Sequence, residues 1–311
     1  MILGMPTEEA TFMRRGFRIA EPEVVHKLEQ VGRSFLQGYK EALKSEELSS
    51  LVVSLDLVDL ELRGFAYEGA AMGLALLDSL SLWKGKRLQP FLNGPGEKHR
   101  YMVHVGVGWA IARVPWLRRN LVTSIEQFDP LLRWLIVDGY GFHQGYFYWS
   151  NYLRQPERVK WTAGYARHAF AQGLGRSLWF VEGANVEQIT KTISQFSVEL
   201  QPDLWSGVGL ACAYAGGVDA KVIKTLQRAS GPYQAQLAQG AAFAAKARQL
   251  AGNLVVHTEI ACRILCRLSA NEAAFVTDAA LEALPFDKDV PAYEVWRRRI
   301  QSELVWENVT A

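Results

Sequence analysis

The sequence predicts an all-α protein of stacked helix-hairpin repeats, arranged as a TPR-like array or a closed helical bundle. Three observations carry that expectation. A glycine-bearing motif recurs at intervals near those of paired-helix repeats. Apolar residues between its later copies fall at helical spacing. Strand signals are weak throughout, and the best of them, LVVSL (51–55), lies in a helical context.

Read from the residue before each glycine, the motif runs EGAAMGLALLD from Glu68, VGVGWAIARVP from Val105 and QGYFYWSNYL from Gln144. It continues as QGLGRSLWFVEG from Gln172, SGVGLACAYAGG from Ser206 and QGAAFAAKARQLAG from Gln239. The aligned glycines, Gly69, Gly106, Gly145, Gly173, Gly207 and Gly240, are spaced 37, 39, 28, 34 and 33 residues apart. A glycine inside a helix costs roughly 1 kcal/mol against alanine. Its return is a missing side chain, which lets a neighbouring backbone come close. Small residues two positions on (Ala71, Gly108, Gly175, Gly209, Ala242) widen the notch. The rival reading is a phosphate-binding loop. GLGRS and GVGLA lack a Walker lysine, however, and neither follows a convincing strand.

The elements follow in order. Residues 1–62 supply N-terminal capping helices, chiefly EPEVVHKLEQVGRSFLQGYKEALKS. Residues 63–252 hold the six glycine-notched repeats, and 253–311 supply C-terminal caps, including AYEVWRRRIQSELVWE. VEQITKTISQF (186–196) and AKVIKTLQRAS (220–230) read as amphipathic second helices. Gly216-Gly217, Gly231-Pro232 and Gly252-Asn253 read as helix stops, and Asp219 as a cap. No linker divides the chain, so residues 1–311 read as one domain.

The composition narrows the function. Half the chain is hydrophobic (49%), enough for a large core. Net charge is +2, from 34 basic and 32 acidic side chains, a balance that calls for no nucleic-acid or anionic-membrane partner. Arg297, Arg298 and Arg299 form a local basic run that reads as a solvated helix face. Cys212, Cys262 and Cys266 make no disulfide framework or zinc set and read as buried thiols. No apolar run is long enough for a signal peptide or a membrane span, and the expected compartment is cytoplasmic. There is no GxSxG, no HExxH and no aspartate-rich motif, so no metal and no cofactor are expected.

Several longer motifs carry a resemblance. They include RGFAYEGAAMG (63–73), YMVHVGVGWAIAR (101–113) and DPLLRWLIVDGYGFHQGYF (129–147). QGLGRSLWFVEGA (172–184), LAQGAAFAA (237–245) and PAYEVWR (291–297) belong with them. In these the chain resembles, from about Gly16 to Val305, a bacterial domain-of-unknown-function family associated with enediyne polyketide biosynthesis. The resemblance implies a biosynthetic accessory protein or enzyme acting on an apolar, polyene-like polyketide or isoprenoid intermediate; it supplies no mechanism, and isomerisation or cyclisation in an enclosed aromatic cavity is the expected chemistry. It equally implies a non-catalytic carrier, or a scaffold docking a synthase or membrane protein of the same pathway. A homodimer is compatible with any of these. The family supplies no settled catalytic residues.

Candidates therefore come from the residues. DGYGFHQGYFYW (138–149) reads as a helix with two aromatic faces, one holding Asp138, Phe142, Tyr146 and Trp149. Asp138 is a helix N-cap or a charge handler, and His143 a proton-transfer group or a core histidine. Glu68, Gln144, Gln172, Ser206 and Gln239 precede the aligned glycines and would ring a common interior. A carboxyl there, Glu68, would have a raised pKa and act as a general acid, or join an inter-repeat hydrogen-bond network. Arg176 would pair with Glu68 or Asp138, or hold a ligand anion. Ten tryptophans and eleven tyrosines are many, and Tyr67, Trp109, Tyr140, Phe142, Tyr146, Trp149 and Trp179 cluster near the glycines. They suit either the wall of an apolar ligand site, with Gln172 and Gln239, or a plain core.

Overall fold

The computed structural model describes residues 3–80, 86–158, 164–285 and 290–305. Among them every regular element is an α-helix or a short 3-10 turn, and no strand occurs. The stretch 51–55 lies inside the helix Leu48–Asp56. Seven helices form an inner layer: α1 (Pro22–Lys44), α2 (Arg63–Leu80), α3 (Arg100–Arg113), α4 (Arg133–Phe147), α5 (Ala166–Val181), α6 (Gln201–Ala215) and α7 (Gln234–Ala251). Each packs on the next in chain order. Then α8 (Ala270–Ala279) packs on α7, and α9 (Ala292–Glu303) crosses both. Residues 286–289 and 306–311 of the expected C-terminal caps lie outside the described residues.

The glycines set this order. A Cβ on Gly69 would stand 1.9 Å from the Phe35 carbonyl oxygen, and one on Gly106 would stand 2.1 Å from that of Glu68. The same collision awaits a Cβ on Gly173 (Asp138 O, 1.9 Å), Gly207 (Gln172 O, 2.0 Å) and Gly240 (Ser206 O, 1.9 Å). Backbones this close bring Cα–H groups against carbonyl oxygens across the helix pair. Residues 64–76 of α2 are buried without interruption, as an apolar helix gripped on both sides must be.

On α4 the register differs from the expected one. Gly139 makes the repeat contact, its missing Cβ falling 2.1 Å from Val105 O. A Cβ on Gly145 would meet the Ser177 side chain instead. With Gly139 in place the spacings become 37, 33, 34, 34 and 33 residues. A second notch, two residues on, faces the following helix: Gly108 on Ile136 O, Gly141 on Phe170 O, Gly175 on Leu204 O and Gly209 on Leu237 O. Gly38 makes the same contact with Ala66 O, so α1 is a further member of the series and not only a cap.

The helix-hairpin expectation holds best in the later copies. There the outer helices Val186–Ile193, Ala220–Ala229 and Val256–Leu265 stack on one another. Asn185 and Asp219 cap the first two by accepting from Gln188 N and Val222 N. Ser269 and Glu272 form a reciprocal capping box at α8. Gly216 and Gly252 end α6 and α7 at positive φ, where a side chain would be strained. Earlier outer segments are only short helices, such as Leu88–Leu92 and Pro115–Arg119.

The array closes on itself. Tyr214 on α6 packs edge-on against Phe65 on α2, ring centres 4.9 Å apart. The buried Arg248 on α7 donates to Glu61 O at 3.2 Å and Tyr214 O at 2.6 Å, while Asn253 Nδ2 donates to Leu60 O at 3.0 Å. The chain is thus a closed bundle rather than an open solenoid. Its three cysteines are buried, and the thiols of Cys262 and Cys266 contact the carbonyls of Ala241 and Ala238.

Candidate functional site

With Gly139 in register, the residues before the notches are Glu68, Val105, Asp138, Gln172, Ser206 and Gln239. All are buried, and five are polar. Gln144 is buried but lies outside this set. The five polar side chains mark a row through the centre of the bundle, because successive helices present the same position to the same interior.

A charge placed there must be paired, since leaving one alone costs several kcal/mol. Arg176 Nη1 donates to Asp138 Oδ1 at 2.5 Å, and Gln172 Nε2 donates to Asp138 Oδ2 at 2.8 Å. Asp138 is therefore mid-helix and an ion-pair partner, not the N-cap of α4. Gln172 also donates to the Tyr293 hydroxyl at 3.2 Å. Ser206 Oγ donates to Gln239 Oε1 at 2.9 Å, and Arg297 Nε donates to the same oxygen at 3.3 Å. Arg297 is buried and holds Asp203 Oδ1 at 2.7 Å, whose Oδ2 meets His168 Nδ1 at 2.8 Å near the surface. The basic run at 297–299 is thus a solvated face at Arg298 but not at the buried Arg297. Arg298 pairs with Glu294, and Arg299 donates to the carbonyls of Ala280, Glu282 and Ala283.

Glu68 stands at the other end of the row and differs from it. Neither carboxyl oxygen has a hydrogen-bond partner. Burial pushes its pKa up, the Arg176 guanidinium pulls it down, and Asp138 pushes it up again, leaving it at about 8. At neutral pH it is mostly a neutral acid. The Trp109 indole lies near enough to favour the carboxylate, though its N–H closes no hydrogen bond.

The carboxyl opens into an apolar hollow of about 30 Å³. Its walls are Val31, Phe35 and Leu36 of α1, Phe65, Trp109, Phe142, Tyr146 and Phe180. Met5, Glu9 and Ala10 of the N-terminal segment cover it. That volume holds a water molecule or two. A second hollow of similar size lies on the far side of Arg176, among Tyr101, Met102, Leu135, Tyr214, Phe243 and Trp296. The guanidinium sits over the Phe142 ring, 4.6 Å from its centre.

Trp109, Phe142 and Tyr146 thus meet Glu68, while Asp138, Arg176, Gln172 and Gln239 stand in the polar row. The others do not join them. Tyr67 stacks on His99, 4.0 Å between centres, and donates to Asp56. Tyr140 packs on Phe170, and Trp179 donates to Gly216 O as a structural bond. Trp149 falls beyond the end of α4 at Phe147 and donates to Arg15 O. His143 is buried among Trp109, Phe147 and Tyr148, with neither ring nitrogen bonded. Burial first, then Arg113, Arg15 and Arg118, lower its pKa to about 3. It does not line the hollow. Tyr293 and Arg297 were missed as site residues although PAYEVWR was noted as a motif, and α1 carried no repeat signal beyond its Gln37-Gly38 pair.

A family model covers this whole arrangement, matching residues 1–304. The chain belongs to the family described as protein of unknown function, DUF1702. No curated protein and no solved structure matches it. In this DUF1702 chain no described helix is long and apolar enough to cross a membrane.

Proposed function

We propose that the protein acts on an apolar, conjugated intermediate by proton transfer at Glu68, as an accessory step in enediyne-type or related natural-product biosynthesis. One observation carries this reading: a neutral carboxylic acid, unbonded at both oxygens, faces an aromatic hollow with a buried guanidinium behind it. Such an acid gives its proton to one atom of a conjugated chain. The carboxylate left behind, steadied by Arg176, takes a proton back from another. The chain gains and loses one proton, so a double bond moves or a ring closes with no change in mass. Phe35, Trp109 and Phe142 present ring faces and edges to the positive charge in between. A chain longer than a few atoms needs the N-terminal segment to draw back, since the hollow is small.

The test is incubation of the pure protein with linear polyenes and polyenones, followed by absorbance and mass. A mass-neutral isomer is expected from wild type, with turnover about 10²–10⁴-fold lower in Glu68→Gln. An unchanged substrate across the panel counts against catalysis. Tryptophan quenching without product favours the carrier reading of the same hollow. The scaffold reading has less support, because the face inside the array is filled by side chains.

A further inference from the structure

Three stretches of chain meet over His143: residues 13–19, 113–122 and 147–154. Arg15 Nη2 donates to Phe147 O at 2.6 Å, and Trp149 Nε1 donates to Arg15 O at 2.9 Å. Arg15, Arg113 and Arg118 all act on the His143 ring. At this end, where α3 and α4 terminate, the stretches expose both apolar and basic side chains. Ile19 is 94% exposed and Met13 92%, with Trp116 and Tyr148 about half exposed. Arg14, Arg18, Arg118, Arg119 and Arg154 stand exposed among them.

Two of the acids beside them are engaged by these arginines, while Glu8, Glu21 and Glu23 stand exposed nearby. Glu9 is held by Arg14 and Arg15, and the fully buried Glu182 by Arg18 and Arg154. Each of these two carboxylates meets two guanidinium groups, and residues 113–122 add Arg113, Arg118 and Arg119 with no acid among them, a local basic excess on a chain whose overall charge is only +2. Fully exposed Ile and Met side chains next to arginine are poor company for water. A polyanion such as nucleic acid would satisfy the arginines and leave Met13 and Ile19 wet. An anionic bilayer satisfies both: guanidinium groups meet headgroup phosphates, indole and phenol rings sit at the interface, and aliphatic tips reach the acyl boundary.

We propose that this face docks on an anionic lipid bilayer, with Met13, Ile19 and Trp116 entering the interface and the arginines lying on headgroup phosphates. The docking stands apart from the chemistry at Glu68 and holds whether or not that chemistry occurs.

Flotation of the full-length chain with phosphatidylcholine vesicles, with and without phosphatidylglycerol, tests it. Association is expected only with the anionic vesicles, weakening as salt rises. Each arginine neutralised lowers partitioning about fivefold, so Arg118→Gln with Arg119→Gln lowers it about twenty-five-fold. Met13→Ser with Ile19→Ser weakens association and leaves its salt dependence unchanged. Phe275→Ser, on α8 at the far end of the array, leaves both unchanged. Far-UV circular dichroism checks that the variants fold. As a second readout, lipids brominated in the acyl chains quench Trp116, seen as wild type minus Trp116→Phe. No association with anionic vesicles, equal association with neutral ones, or indifference to both variant pairs overturns the proposal. Binding of duplex DNA that matches vesicle binding and ignores Met13→Ser with Ile19→Ser overturns it too, in favour of a general polyanion surface.

Discussion

Arg176 on α5 and Asp138 on α4 form a fully buried ion pair, Nη1 to Oδ1 2.5 Å, and Glu68 on α2 shares the field of that guanidinium without bonding to it. Burial holds Glu68 protonated, and the pull of Arg176 is partly offset by the push of Asp138. One position of a repeating helix thus holds two carboxyl groups in different surroundings, Asp138 bonded to the arginine and Glu68 unbonded.

Removing one partner of that pair leaves the other charged and buried. Arg176→Met is expected to destabilise the protein by about 3–5 kcal/mol. Adding Asp138→Asn is expected to recover much of that loss, because Gln172 can still bond an amide there. Urea unfolding of both singles and the double decides the matter. Additive losses would mean that the two side chains do not act as a pair.

Glu68 gives stability a pH slope of unusual sign. Its folded pKa is about 8 against an ordinary 4.5, so between those values the folded chain keeps a proton that the unfolded chain has released. Stability therefore falls as pH rises through that window, by up to about 1.4 kcal/mol per pH unit. Glu68→Gln is expected to remove this contribution. Urea melts from pH 5 to 8 give it as wild type minus variant, and equal slopes would place a counter-ion or hydrogen bond on the carboxyl.

The helices and their stacking were legible because both signals are local. Notches recur about every 34 residues, and caps such as Asp219 or stops such as Gly252 act within a turn. The register on α4 was not, because Gln144-Gly145 copies the dipeptide of Gln172-Gly173 and Gln239-Gly240. Only the approach of Val105 O singles out Gly139. Glu68, Asp138 and Arg176 were found as polar groups in apolar surroundings, but which acid takes the arginine depends on how helices from three repeats meet. Arg297 reads like Arg298 and Arg299 until Asp203, nearly a hundred residues away, is placed against it. The far wall of the hollow comes from α1, whose Leu36 fills the place of the first glycine and hides the repeat.

The register makes its own prediction. A Cβ on Gly139 runs into backbone, which cannot swing aside, whereas one on Gly145 meets side chains only: Ser177 Oγ, which can rotate away, then Ser177 Cβ at 2.8 Å and Leu174 Cδ2 at 3.1 Å, which need a smaller shift. Gly139→Ala is expected to cost about 3 kcal/mol or more, at the upper end for overpacking, and Gly145→Ala much less. Thermal melts rank the two. The reverse order would restore Gly145 as the repeat position.

His143 was the natural proton-transfer candidate, and its surroundings argue for a different behaviour. Burial first, then three nearby arginines, with no partner on either nitrogen, hold it neutral down to about pH 3, against an ordinary 6.5. Between those values the unfolded chain takes up a proton that the folded chain refuses, so stability falls as pH drops. His143→Phe removes two unsatisfied nitrogens and keeps an aromatic ring against Trp109 and Phe147. At pH 7 it is expected to change stability by less than about 1 kcal/mol, or to raise it. Near pH 4.5 its advantage over wild type grows. Because His99 and His257, both lowered to about 4, share the acid response, the readout is the difference between variant and wild type at each pH. A loss above about 2 kcal/mol at pH 7 would mean that the imidazole forms a hydrogen bond after all.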